Sequence, residues 1–394
     1  MESQPRNTRI IARVRGSYLA TVAVAVALLF IGHRIATQGL IIFQGDAEQE
    51  IVRATVQRIG ERILPEDDFM FMIQGERLIF EAEIIRGPHR GESVFATQSF
   101  GGFVEEGLRE VRTGDSILLI TFGDEWFFNG FYRTNRLLGL AIVFALFVLL
   151  FGGIKGFNTI LSLGLTCAAV FAVFVPSILS GRNIHIMALL VCIYTTVVTL
   201  LLVVGFNRKS LAAAVGCLSG IAVTGLITVI MDSVLFLTGV LDEHSRFLMF
   251  LPIEGTINLR AIVFAGIIIG AMGAILDVAM SIASALWEIR ESNRTVKFET
   301  LLRSGITIGR DVFGTMANTL ILAYIGTSLS VILILLVYTD SLTSLLNMEM
   351  IVVEILQALA GSFGILFTMP LTSFFCSTIY PKDRKTARGG WRER

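Results

Sequence analysis

Residues 137–176 read LLGLAIVFALFVLLFGGIKGFNTILSLGLTCAAVFAVFVP, and Lys155 is the only charged residue among them. About 20 apolar residues cross a bilayer as a helix, so the stretch predicts two membrane spans, 137–154 and 157–176, meeting at Lys155. The same reading, carried outward, predicts spans at 17–33, 184–204, 210–231, 260–282, 314–337 and 351–376. The fold class that follows is an α-helical polytopic membrane protein of about eight transmembrane helices. Composition agrees: 54% of the residues are hydrophobic and 16% are charged, against roughly 25% charged in soluble domains.

Net charge is zero, so no global bias points to nucleic acid or to an acidic substrate. Cys167, Cys192, Cys217 and Cys376 all fall in apolar runs without CxxC or Cys/His spacing and read as small buried hydrophobes. Arg6, Arg9, Arg13 and Arg15 precede the first apolar run, as in a signal peptide. That run is longer than a usual signal core and no small-residue cleavage site follows, so it is expected to stay as an anchor.

Lysine and arginine set the expected orientation. With the N-terminus in the cytoplasm, the inner segments hold eighteen of them and the short outer loops only Arg182, Arg246 and Arg260. Both termini are therefore expected inside: 1–16 as a cytoplasmic segment and 377–394 as a basic cytoplasmic tail. Between the anchor at 17–33 and the seven-helix domain at 137–376, residues 34–136 form the expected extracytoplasmic domain. Its β-rich stretches are 51–59, 69–85, 92–100, 116–122 and 125–133, punctuated by Gly60–Glu61, Gly87–Pro88, Gly101–Gly102, Gly114–Asp115 and Gly123–Asp124. Five short strands suggest a small barrel, OB-like or SH3-like. Phe100, Phe103, Trp126, Phe127 and Phe128 are either its core or a binding face.

Ionisable residues inside apolar helices are expensive and mark function. Residues 270–289 read GAMGAILDVAMSIASALWEI, in which Asp277, Ser281, Ser284 and Glu288 are spaced by four, three and four. At about 100° per residue they share an arc of roughly 60°. Residues 309–324 read GRDVFGTMANTLILAY and repeat the device with Asp311, Thr315 and Asn318, beside Gly314. If the two faces meet, they line a hydrated cavity. Asp311 pairing with Arg310 or Arg303 is the structural alternative, and Ser and Thr also serve as packing glue. Glu354 and Gln357 enter the last span from outside and are candidates for an outer gate. Asp232 and Arg260 are expected to pair, and Pro176 and Pro370 to mark helix ends. His33, His89, His185 and His244 are scattered, so no metal site, cofactor site or catalytic triad is expected.

The stretch DVAMSIASALWEI from Asp277 to Ile289, with SGITIGRDVFGTMANTLILAY from Ser304 to Tyr324, resembles the signature of the YibE/F-like family of bacterial multi-span membrane proteins. The likeness runs from the outer domain through the eighth span and is sharpest over 270–326. It implies a protein of the bacterial cytoplasmic membrane with this architecture, and no mechanism.

The expected function is that of a secondary transporter or exporter, ion- or proton-coupled, with Asp277 and Asp311 binding protons or a cation. No GxxxxGK[ST] sequence is present for ATP. The alternative is a non-transporting scaffold or receptor whose outer domain binds a cell-envelope partner. An enzyme is not expected: the Gly-x-Gly-Asp context of intramembrane aspartyl proteases is missing at both aspartates. The expected partners are the lipid bilayer, a small ion or solute, and a cell-envelope protein; nucleic acid is not among them.

Overall fold

The computed structural model describes residues 5–38, 50–63, 76–100, 109–250 and 257–380, with side chains from Tyr18 onward. Phe103 and residues 381–394 of the basic tail lie outside them. The chain divides into two compact units, Ile41–Leu150 and Met1–Leu40 with Phe151–Arg394.

In the first unit the period-2 pattern of the sequence becomes five strands: β1 (Ile51–Ile63), β2 (Glu76–Arg86), β3 (Ser93–Phe100), β4 (Ser116–Phe122) and β5 (Glu125–Phe131). They close a barrel in the order β1-β2-β3-β5-β4. Every described pair is antiparallel except β3 with β5. This order, with its parallel pair, decides the barrel in favour of the OB type. Alternate residues point inward, Val52, Ala54 and Val56 from β1 and Leu78, Phe80, Ala82 and Ile84 from β2 among them. Trp126, Phe128 and Phe131 pack on that core, whereas Phe95 and Phe122 are exposed. Gly60 and Glu61, expected to end the first strand, instead lie inside β1, with Gly60 at a register irregularity where a Cβ would lie 2.8 Å from the Ile79 carbonyl oxygen. Gly123, at φ 63°, turns the two-residue β4–β5 hairpin.

The helices are α1 (Pro5–Ala36), α2 (Thr134–Ala168), α3 (Val175–Leu179), α4 (Ile184–Val203), α5 (Arg208–Val234), α6 (Glu243–Phe247), α7 (Leu259–Ser292), α8 (Phe298–Thr327), α9 (Leu329–Tyr338), α10 (Leu342–Asn347) and α11 (Glu349–Ile379). Asn183, Asn207 and Asn258 start α4, α5 and α7 by accepting the backbone N–H three residues on.

Six of the described helical runs are long and apolar enough to cross a membrane, seven if α8 and α9 count as one. The helices expected at 137–154 and 157–176 lie in the run Thr134–Leu179, which breaks between them at Gly153, where a φ of 54° and ψ of −131° are non-helical, and which carries a π turn at Ala169–Phe174. The helix expected at 314–337 begins instead at Phe298 and bends by 60° between Thr327 and Leu329.

The prolines also depart from expectation. Pro370 lies inside α11 rather than at its end, as apolar helices tolerate when neighbours secure the backbone. Pro176 follows a π turn at Ala169–Phe174 and sits in the first turn of α3. Having no N–H, it cannot serve the Ala172 carbonyl as an α-helical residue would. His33 of α1 donates to that carbonyl instead, Nδ1 to O 2.7 Å.

The core of the helical unit joins α4, α5, α7, α8 and α11, and small residues let the last four approach. Cβ atoms on Gly216 and Gly220 of α5 would fall on the Thr372 and Thr368 hydroxyls of α11. Gly305 and Gly309 of α8 receive Ser373 and Met369 in the same way. α1 is held by polar contacts to the other side: Tyr18 donates to Asn158 at 2.9 Å, and Asn158 donates to the Leu202 carbonyl at 2.9 Å.

Candidate functional site

In α7, Ile275, Ile282 and Leu286 are fully buried against the neighbouring helices. Asp277, Ser281 and Glu288 are exposed and Ser284 is half-buried, on the side turned away from that core. The four residues thus share one arc, the outer one. Gly266, Gly270 and Gly273 extend it and are also exposed, so the carboxylate stands on a face lined by residues without side chains. Asp277 makes no hydrogen bond or ion pair among the described residues.

α8 has the same design. Leu301, Gly305, Gly309 and Leu320 are buried, while Asp311, Thr315 and Asn318 lie exposed on the reverse face. Asp311 pairs with neither Arg310 nor Arg303 among the described residues. The threonines are satisfied locally: Thr307 donates to the Arg303 carbonyl at 3.0 Å, Thr315 to Val312 at 3.0 Å and Thr319 to Thr315 at 2.9 Å.

The two helices run antiparallel. Leu286 abuts Gly305, and Ala271 and Leu320 both abut Gly361, which places Asp277 about level with Gly314 at 1.5 Å of rise per residue. The two polar arcs nevertheless do not join. Asp277 and Asp311 are each exposed, and no hydrogen bond or ion pair links the two arcs among the described residues. Among the described residues the two tracks do not face one another as the expected cavity would require. The reason is that the buried faces of α7 and α8 are claimed by glycine-mediated contacts with α5 and α11.

A different meeting does occur. Glu354 and Gln357 of α11, both half-buried, stand beside Tyr324 of α8. A methyl group at Gly270 would lie 2.9 Å from the Tyr324 hydroxyl and 3.3 Å from the Gln357 amide nitrogen. The Tyr324 hydroxyl is buried, with the Gln357 amide as the polar group beside it. Tyr324 and Glu354 line an open pocket of about 240 Å³, otherwise apolar, at the α8–α9 bend with Ser328. Sequence reasoning found Glu354 and Gln357 but missed Tyr324. The available signal was a hydroxyl-bearing aromatic six residues beyond Asn318 in an apolar run.

The expected Asp232–Arg260 pair is present, at 3.9 Å. Among the described residues no three His, Cys, Asp or Glu side chains gather as a metal site would require. In the loop before α7, Asp242 accepts the Ser245 N–H at 2.7 Å, and that bond holds its carboxyl below the usual carboxylate range.

The sequence profile described as YibE/F-like protein matches residues 140–382. It takes in all the candidate residues and leaves out the barrel, so the resemblance expected to begin in the outer domain begins instead in α2. No curated protein and no solved structure matches the chain. With more than half of its residues under that profile, the chain belongs to the YibE/F-like protein family.

Proposed function

We propose that this chain is a secondary transporter or exporter that couples the movement of a small ion or solute to protons or a cation held at Asp277. The observation carrying this reading is the unpartnered Asp277 carboxylate on a glycine-lined helix face, the one charged residue between 261 and 287. An ionised carboxylate at membrane depth costs several kcal/mol unless a proton, a cation or water neutralises it. A group that must be neutralised to stay in the membrane can be neutralised alternately from either side. Asp311 and Asn318 are proposed to act in the same path, and Tyr324, Glu354 and Gln357 to form its outer gate.

In this reading the chain crosses a bacterial cytoplasmic membrane eight times, with both termini inside and the barrel outside. The 46-residue run Thr134–Leu179 supports two of those crossings. At 1.5 Å per residue it is about 69 Å long, roughly twice the hydrocarbon thickness. The Gly153 break supplies the place to turn.

The test is flux in proteoliposomes carrying a pH-sensitive dye, under imposed proton and sodium gradients and a panel of metal cations and small organic ions. Wild type is compared with Asp277→Asn and Asp311→Asn. Substrate-dependent flux that disappears in Asp277→Asn while the protein stays folded supports the reading; flux unchanged in that variant removes it.

The second reading is a scaffold or receptor working through the barrel. Its supporting observation is the exposure of Phe95 and Phe122 on a closed five-stranded domain that the family profile does not include.

A further inference from the structure

The outer face of α8 carries more than its candidate site residues. Arg303, Thr307, Arg310, Asp311, Gly314 and Asn318 are all exposed there. The threonine hydroxyls on α8 bond to their own helix, so they need no other partner. Arg310, Asp311 and Asn318 are different. They make no hydrogen bond or ion pair among the described residues, and at the edge of an apolar medium such groups are stabilised by a partner of opposite charge or matching polarity.

The arrangement of these groups is self-complementary. Taking Gly314 as the centre of the face, at about 100° per residue, Thr307 and Asn318 lie within about 40° of it. Arg310 lies about 40° to one side and Asp311 about 60° to the other. When two parallel copies of such a helix pack about a twofold axis, the left flank of one meets the right flank of its mate. Arg310 of each copy then faces Asp311 of the other, one residue apart in height, and two ion pairs form at once. Thr307, Asp311, Gly314, Asn318, Ile321 and Ile325 alternate at intervals of four and three, the seam of a left-handed helix pair. Gly314 on the centreline permits close approach, and Asn318 meets its own copy across the axis.

We propose that the α8 face centred on Gly314 is the interface between two copies of this chain in the membrane, closed by reciprocal Arg310–Asp311 pairs. The inference does not rest on transport, because its test reads association rather than flux. It satisfies in the dimer the polar groups that one chain leaves bare. It also places the Asp311–Asn318 track on the symmetry axis.

The test uses the full chain with Cys167, Cys192, Cys217 and Cys376 replaced and single cysteines introduced. Thr307→Cys, Gly314→Cys and Asn318→Cys are expected to cross-link into dimers on oxidation in native membranes. Val312→Cys and Met316→Cys, which pack toward the core of the same chain, are expected to stay monomeric. In lipid nanodiscs, Arg310→Glu or Asp311→Arg alone is expected to weaken association about tenfold or more by setting like charges together. The double variant Arg310→Glu/Asp311→Arg is expected to recover it. A monomeric mass for wild type, equal cross-linking at both sets of positions, a cross-linked product with another protein, or a double variant no better than the singles would each overturn the proposal.

Discussion

Gly220 of α5 and Thr368 of α11 claim the same place: a Cβ on Gly220 would fall on the Thr368 hydroxyl. The relation is reciprocal, because a Cβ on Gly364 of α11 would fall on the hydroxyl of Thr224 of α5. Each hydroxyl bonds back to the glycine four residues before it, Thr368 to Gly364 at 2.7 Å and Thr224 to Gly220 at 3.1 Å. Ile275 of α7 would touch either added methyl, at 3.0 Å from Gly220 and 2.8 Å from Gly364. The crossing therefore seats the helix that carries Asp277.

Gly220→Ala is expected to force this crossing apart, at a cost of about 1–3 kcal/mol typical of overpacking. Adding Thr368→Ala removes the atom in the way and is expected to restore part of the loss. Thermal unfolding of the purified protein in one detergent compares the variants, and a double variant less stable than Gly220→Ala would refute the account.

In the barrel, Gln98 is fully buried and its side chain bridges two backbone groups, accepting from Val111 N at 3.0 Å and donating to the Arg109 carbonyl at 3.2 Å. Gln98→Leu strands both. The expected cost is about 1–3 kcal/mol for a buried donor left unpaired. Faster amide exchange at Val111, with β1–β2 exchange changed less, is the outcome that identifies this mechanism.

The Tyr324 hydroxyl is buried beside the Gln357 amide, so Tyr324→Phe is expected to change stability by no more than about 1 kcal/mol. If flux is established for the wild type, the same variant distinguishes a gate from packing. A gate that uses the hydroxyl loses flux without losing stability, and a packing residue loses neither.

Asp242 begins α6 by accepting the Ser245 N–H, and its carboxyl titrates below the ordinary value. A depressed folded value means the cap is complete above the unfolded-chain value near 4 and is lost as pH falls through the lower folded one. Pepsin cleavage within 243–250 is therefore expected to rise only below about pH 4. Asp242→Asn, which keeps an acceptor but cannot titrate, is expected to flatten that dependence.

Much of this was legible in the residues. Five strands, the turns at Gly87, Gly114 and Gly123, the Asp232–Arg260 pair, and the sharing of one arc by Asp277, Ser281, Ser284 and Glu288 all follow from local rules. Turn residues, charge pairing across a short connection and a fixed angle per residue act within a few positions of one another. The form of the break between the two expected helices was not legible, because a Gly-Gly-Ile-Lys-Gly stretch is compatible with either a loop or a kink such as the one at Gly153. Nor was the bend at Ser328, since the apolar run passes through it without a proline.

The sequence by itself determined that this is a chain of apolar helices with a five-stranded insert, and that each polar track occupies one face of its helix. It could not determine where those faces point. Helical periodicity gives the angle between two residues on one helix but not the rotation of that helix against its neighbours. That rotation was decided by Gly220 against Thr368, Gly305 against Ser373 and Gly309 against Met369, contacts between segments far apart in the chain. They turned the glycine-bearing sides of α5, α8 and α11 inward, left Asp277 and Asp311 on the outside, and brought Tyr324 to Glu354 and Gln357.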